Sequence, residues 1–261
     1  MTTQAATKFE RLALDVEGCA ARITLRNGPL NIIDVRMMDE LSAALTEAES
    51  VPQISVVVFR GDGNCFSAGV DVAAHTPDNV AAMLEKFHRV IRSLIATRKV
   101  TVASVHGHCL GGGAELAMVC DLVYSADDAQ WGFPEIQLGC FPPIAVTALS
   151  AMVGQKRASD LILTGRTITG SQAASIGLAS AAVLPNELER TVDAMVRKLS
   201  SLSPTALAVT KKAIYAWDSM HFDKGLARAE RIYLDELMHT EDAQEGVRAF
   251  MEKRQPKWKG R

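Results

Sequence analysis

The sequence contains no stretch approaching the ~18 consecutive apolar residues that a membrane-spanning helix needs. Segment 1–8 is polar and lacks the apolar run of a secretory signal, so a cytoplasmic location is the expectation. Cysteine is scarce. The five present (Cys19, Cys65, Cys109, Cys120, Cys140) are an odd number with no C-x-x-C pair, which argues against a disulfide framework or a zinc site and suits a reducing compartment. An excess of one charge sign is also missing. Lys plus Arg number 28 against 30 Asp plus Glu, for a net charge of −2, so no global field favours nucleic acid and any anion site must be a local patch. There is neither a G-x-G-x-x-G pattern nor a glycine run followed by Lys-Ser/Thr, which disfavours a dinucleotide or a nucleoside triphosphate. Internal repeats and low-complexity segments are absent.

What is present is ordinary globular material, 48 % hydrophobic and 22 % charged over 261 residues, enough for a sizeable core. Short β-branched runs at Ala20–Leu25, Ile54–Phe59, Val100–Val105 and Cys120–Ala126 read as strands. Between them, Val35–Glu49 and Val80–Leu94 carry apolar residues at helical spacing (Met83, Phe87, Val90, Ile91 and Leu94 in the second). Strands separated by helices predict a mainly parallel sheet. From about Ile144 onward, Ser159–Leu163, Gln172–Ile176, Leu188–Leu199, Thr205–Ala216 and Leu226–Met238 all read helical, broken by Gly165, Gly177, Pro185 and Pro204. The last eleven residues set Lys253, Arg254, Lys257, Lys259 and Arg261 against the single acid Glu252.

Two glycine-bearing turns fall between a strand and a helix, Gly61 to Asp71 and His106 to Glu115, the second with Gly111, Gly112 and Gly113 in a row. Glycine lets backbone approach a ligand closely, and N–H groups at a helix start point outward. Each could be no more than a tight turn. Together, two turns presenting N–H groups are what an oxyanion hole requires. Glu115 and Glu135 lie among apolar neighbours, where an unpaired carboxylate is costly and its pKa tends to rise. Taken singly, each reads as a first-turn helix acid or an ion-pair partner. As a pair near one site, they could hold a water between an acid and a base.

These residues resemble the crotonase (enoyl-CoA hydratase/isomerase) superfamily over essentially the whole chain. Phe66–Asp71 looks like its first oxyanion motif and Leu110–Ala117 like its second; Cys120–Tyr124, Pro134–Ile136, Leu138–Gly139, Leu163–Arg166, Ala173–Ala174, Gly177–Leu178 and Glu252–Arg254 with Trp258 and Lys259 continue the pattern in order. The resemblance implies an α/β fold: a spiral of ββα units over residues 1–200 and a helical region over 201–261 that trimerises, often as a dimer of trimers. It implies that the N–H groups of Val70 and Gly112 hold a thioester oxygen. Glu115 and Glu135 match the two hydratase glutamates, and keeping both favours hydration over isomerisation, dehalogenation or thioester hydrolysis. Ala68, Asp71, Phe141, Pro142, Trp258 and Lys259 are the further candidates for contacts with substrate or coenzyme A. The implied partner is an acyl-CoA, with no metal and no cofactor beyond the coenzyme A of the substrate.

Two departures narrow the substrate. Val70 stands where ordinary hydratases usually carry alanine, and Cys140–Ala145 (Cys-Phe-Pro-Pro-Ile-Ala) replaces a glycine-rich segment. With His75–Asp78 and Asn31–Asp34, that segment is similar to the branch that hydrates cyclohexa-1,5-diene-1-carbonyl-CoA to 6-hydroxycyclohex-1-ene-1-carbonyl-CoA in anaerobic aromatic degradation. The alternatives are a β-oxidation hydratase or isomerase, and a non-catalytic acyl-CoA- or RNA-binding protein of the same fold. His75, His106 and His108 form no triad signature with a Ser or Cys, and His106 and His108 read as support for the second glycine turn. Cys65, Cys109 and Cys140 read as small buried hydrophobes, and Asp71 as a helix cap.

Overall fold

A computed structural model describes residues 9–76, 78–215 and 219–260. Segment 1–8, Pro77 of the His75–Asp78 stretch, Ala216 at the end of an expected helix and Arg261 of the basic tail lie outside the described residues.

The chain opens with a hairpin, β1 (Leu12–Glu17) antiparallel to β2 (Ala20–Leu25). Beyond it come β3 (Val56–Gly61), β4 (Val100–Val105), β6 (Leu122–Ala126) and β9 (Ala181–Val183), all parallel, giving a six-stranded sheet in the order β1-β2-β3-β4-β6-β9. Strand β4 is buried along its whole length and β3 at every residue but Arg60, as expected of parallel strands covered on both faces.

Helices α1 (Val35–Ser50) and α2 (Val80–Ala96) cross between strands. The buried face of α1 is Met37, Met38, Leu41, Ala44, Leu45 and Ala48, a helical stripe, and Asp34 caps its start by accepting from the Met37 N–H at 2.8 Å. A second sheet of three short strands, β5 (His108–Leu110), β7 (Gln130–Gly132) and β8 (Thr167–Thr169), sits beside the first. Strands β5 and β7 run parallel in register, Leu110 opposite Gly132.

The helices expected after Ile144 are present as α4 (Pro143–Val153), α5 (Gln155–Thr164), α6 (Gly170–Ser175), α7 (Leu188–Ser200), α8 (Pro204–Tyr215), α9 (Ser219–Arg231) and α10 (Glu241–Met251). Three expectations need correction. The region is not purely helical, because β8 and β9 fall inside it and complete both sheets. Leu226–Met238 is not one helix: α9 ends at Arg231, a wider π turn spans Ile232–Glu236, and a 3-10 turn follows over Leu237–His239. Cys120 precedes its strand, which starts at Leu122.

Candidate active site

Register places the two glycine turns. Strands β3 and β4 pair from Val56–Val100 to Arg60–Ser104, so the loops after Gly61 and Val105 leave the same carboxyl edge of the sheet, the edge at which ligands bind in open α/β sheets. Backbone hydrogen bonds then zip the loops together: Phe66 N–H to His106 O at 2.8 Å, Ser67 N–H to His108 O at 3.0 Å and Leu110 N–H to Ser67 O at 3.0 Å. His106 adds its Nε2, 3.0 Å from Gly63 O. It braces the first turn, not the second as expected from sequence.

The Val70 and Gly112 backbones converge here. Ile33 N–H donates to Gly69 O at 2.9 Å and Asp71 N–H to Ile33 O at 3.3 Å, which turns the intervening Val70 N–H away from that ladder. Gly112 is the first residue of α3 (Gly112–Met118), where an N–H has no intrahelical acceptor. Among the described residues neither N–H meets an acceptor. A Cβ on Gly112 would lie 2.5 Å from Val70 Cγ2, so the two turns touch and only glycine fits.

The two carboxylates reach one cavity through the small sheet. Glu115 lies in α3, directly after β5; Glu135 lies in the 3-10 turn Pro134–Leu138, directly after β7. Because β5 and β7 are paired in parallel, both side chains leave the same end, and Gly111 N–H donating to Gly132 O at 2.9 Å fastens the two junctions. Gly111 has φ +50°, and a Cβ there would sit 2.6 Å from Glu135 Oε1, so glycine is required on both counts. From the other side α10 clamps the Glu135 turn, Gly246 passing so close that an added Cβ would lie 2.1 Å from Leu138 O.

The carboxylates differ in their partners. Glu115 Oε1 accepts from the Ile144 and Ala145 N–H groups at the start of α4, both at 2.9 Å. Glu135 Oε2 is buried with no partner. Burial raises both above the ordinary carboxylate range, opposed at Glu115 by those two amide bonds and reinforced at Glu135 by the charge of Glu115. Among the described residues neither carboxyl is paired with a Lys, Arg or His, so no cation offsets the cost of burial.

Of the other expected residues, Ala68, Phe141 and Pro142 line this cavity. Asp71 does not; its Oδ1 caps the Val72–Ala74 turn by accepting from Ala73 N–H at 3.0 Å. Trp258 and Lys259 also lie elsewhere. Trp258 is half exposed beside Ile136 and Phe250, and Lys259 Nζ pairs with Glu241 Oε2 at 2.6 Å. Cys65, Cys109 and Cys140 are buried. His75 lines the cavity with Nδ1 3.0 Å from Asp71 O, and burial holds its pKa low. Tyr233, in the π turn, also lines the cavity and was missed, because a lone tyrosine in the run Ile232–Leu234 has no motif to mark it.

The sequence pattern described as enoyl-CoA hydratase/isomerase matches residues 15–261. The chain belongs to that family. Among its relatives, the cyclohexa-1,5-dienecarbonyl-CoA hydratase of Thauera aromatica is 35 % identical over 252 residues, covering 95 % of this chain and 96 % of that protein. The 2,3-dehydroadipyl-CoA hydratase of Escherichia coli strain K12 is 36 % identical over 244 residues, covering 92 % and 93 %. Among solved structures, an enoyl-CoA hydratase from Mycobacterium avium subsp. paratuberculosis K-10 superposes with a TM-score of 0.87 at 26 % identity, covering 97 % of this chain and all of that one. The architecture described above is therefore the crotonase fold of the family, two sheets with C-terminal helices, and the enzyme is a hydro-lyase of the enoyl-CoA hydratase type.

Proposed function

We propose that Glu115 and Glu135 together hold one water over the double bond of an enoyl thioester whose oxygen rests on the Val70 and Gly112 N–H groups. The observation that carries this is the shared cavity: two buried carboxylates and two N–H groups without acceptors at one sheet edge. One carboxylate takes a proton from water as its oxygen bonds to Cβ. The electron pair of the alkene moves onto the thioester oxygen, where each donor contributes about 3 kcal/mol by mutational precedent. The other carboxyl returns a proton to carbon, so one water is added in all. Burial suits both carboxyls to this exchange, because raised pKa values bring proton uptake and release near neutral pH.

The acyl group we propose is the cyclic 1,5-diene. Its enolate extends through the second double bond and takes its proton at the far end. That leaves a double bond conjugated to the thioester and the hydroxyl on the neighbouring ring carbon, which is the 6-hydroxy-1-ene. Ring-shaped walls support this reading: Phe87, Phe141, Pro142 and Tyr233 face the cavity. A dicarboxylic acyl chain fits less well, since no Lys or Arg is among the described residues lining the cavity and His75 is kept neutral. An open-chain enoyl-CoA is the second reading, supported by the comparable identity to relatives described only as probable enoyl-CoA hydratases. Trp258 and Lys259 are proposed contacts for the nucleotide end of coenzyme A, and the helical region over 201–261 the proposed seat of trimer assembly.

Purified enzyme given cyclohexa-1,5-diene-1-carbonyl-CoA and crotonyl-CoA in separate assays decides the acyl group. The higher kcat/KM is expected on the cyclic diene. Faster turnover of crotonyl-CoA rejects the ring and leaves the open-chain reading.

A further inference from the structure

Tyr233 supplies the only side-chain hydroxyl among the described residues lining the carboxylate cavity. It is 1 % exposed and sits in the π turn Ile232–Glu236, a local widening of the helix of a kind frequent at functional sites. Its ring meets Phe141 edge-on with centroids 5.0 Å apart and planes at 77°, which fixes where the hydroxyl points. The hydroxyl lies beside the Cys140 thiol and within the electrostatic reach of both Glu135 and Glu115. The carboxylates are unequally served. Glu115 has two amide donors, whereas Glu135 Oε2 is buried with none, and a buried acceptor left unsatisfied is costly.

We infer that Tyr233 is a positioning residue for Glu135, its hydroxyl holding the reacting water that supplies the donor Oε2 lacks. Burial holds the phenol pKa well above its usual range, so the group donates and does not ionise. Of the other titratable groups facing the cavity, His75 Nδ1 is engaged with Asp71 O and Glu115 Oε1 accepts two amides. The Cys140 thiol reaches Leu138 O at 3.6 Å, while its sulfur is the other hydrogen-bond partner within reach of the phenol. The inference rests on the assignment of Glu135 to the reaction.

The test compares Tyr233→Phe, Tyr233→Leu and Glu135→Gln with the unaltered enzyme, assaying the better of the two thioesters across pH. Tyr233→Phe is expected to lower kcat by about 10- to 100-fold, as for loss of a bond to a charged group. KM should stay within about threefold, the sign of a transition-state effect. The limb of the pH–rate profile that Glu135 sets should shift upward, because its carboxylate, without that donor, takes up a proton at higher pH. A packing role alone would let phenylalanine restore what leucine loses. If Tyr233→Phe matches the unaltered enzyme in kcat and pH profile while Glu135→Gln is inactive, the inference is overturned and the Glu135 assignment survives. An active Glu135→Gln removes the assignment itself.

Discussion

Glu115 and Glu135 are one side-chain type in two environments, and their surroundings set their pH response. Both have folded pKa values raised by burial above the unfolded value. A raised folded pKa means that the native state binds protons more tightly than the unfolded chain. The associated stability is therefore fully present below the unfolded carboxylate pKa and is lost as pH rises through the raised folded value. Melting temperatures of the enzyme and of Glu135→Gln, followed from roughly pH 4 to pH 9, should show a flatter decline for the variant, which has no proton to lose there. Parallel curves would contradict the burial argument. The residue type and apolar neighbours of both glutamates were legible in sequence. Their inequality was not, because the Ile144 and Ala145 amides that serve Glu115 lie about thirty positions away along the chain.

At the scale of elements, long periodic segments were readable and short ones were not. Val35–Ser50 and Val80–Ala96 match their expected stripes because sixteen or seventeen residues display a 3.6-residue period clearly. Strands β5, β7 and β8 have three residues each, too few for any period, yet their pairing is what aims both carboxylates into one cavity. The π turn at Ile232–Glu236 was equally hidden: Leu226–Met238 reads as one helical segment, and the widening that brings in Tyr233 carries no sequence motif. The contact between α10 and the Glu135 turn gives a prediction at this scale. Gly246→Ala places a methyl 2.1 Å from the Leu138 carbonyl oxygen, so helix or turn must shift. It should destabilise by about 1–3 kcal/mol, as overpacking does, and lower kcat through the displaced Glu135. Denaturant unfolding with a parallel rate assay checks both, and an unchanged rate would mean that α10 does not hold the turn.

Across the whole molecule, one extended core supports a reaction site at the carboxyl edge of a mainly parallel sheet. No helix among the described residues is long and apolar enough to cross a membrane. Two distant loops and two distant carboxylates meet there because β3 pairs with β4 and β5 with β7, so the site is a consequence of strand pairing more than of any single motif. The motifs, in order along the chain, made the family legible; the acyl group depends on side chains gathered from many segments, and no one stretch of sequence encodes it. The most direct test is to measure turnover of Glu115→Gln and Glu135→Gln alongside their affinity for an unreactive saturated acyl-CoA. Both variants keep the shape of the cavity and lose one proton-transfer group. Turnover should fall by about 10²- to 10⁴-fold in each, while the dissociation constant stays within about threefold. Hydration by either variant at close to the unaltered rate would contradict the paired-carboxylate account.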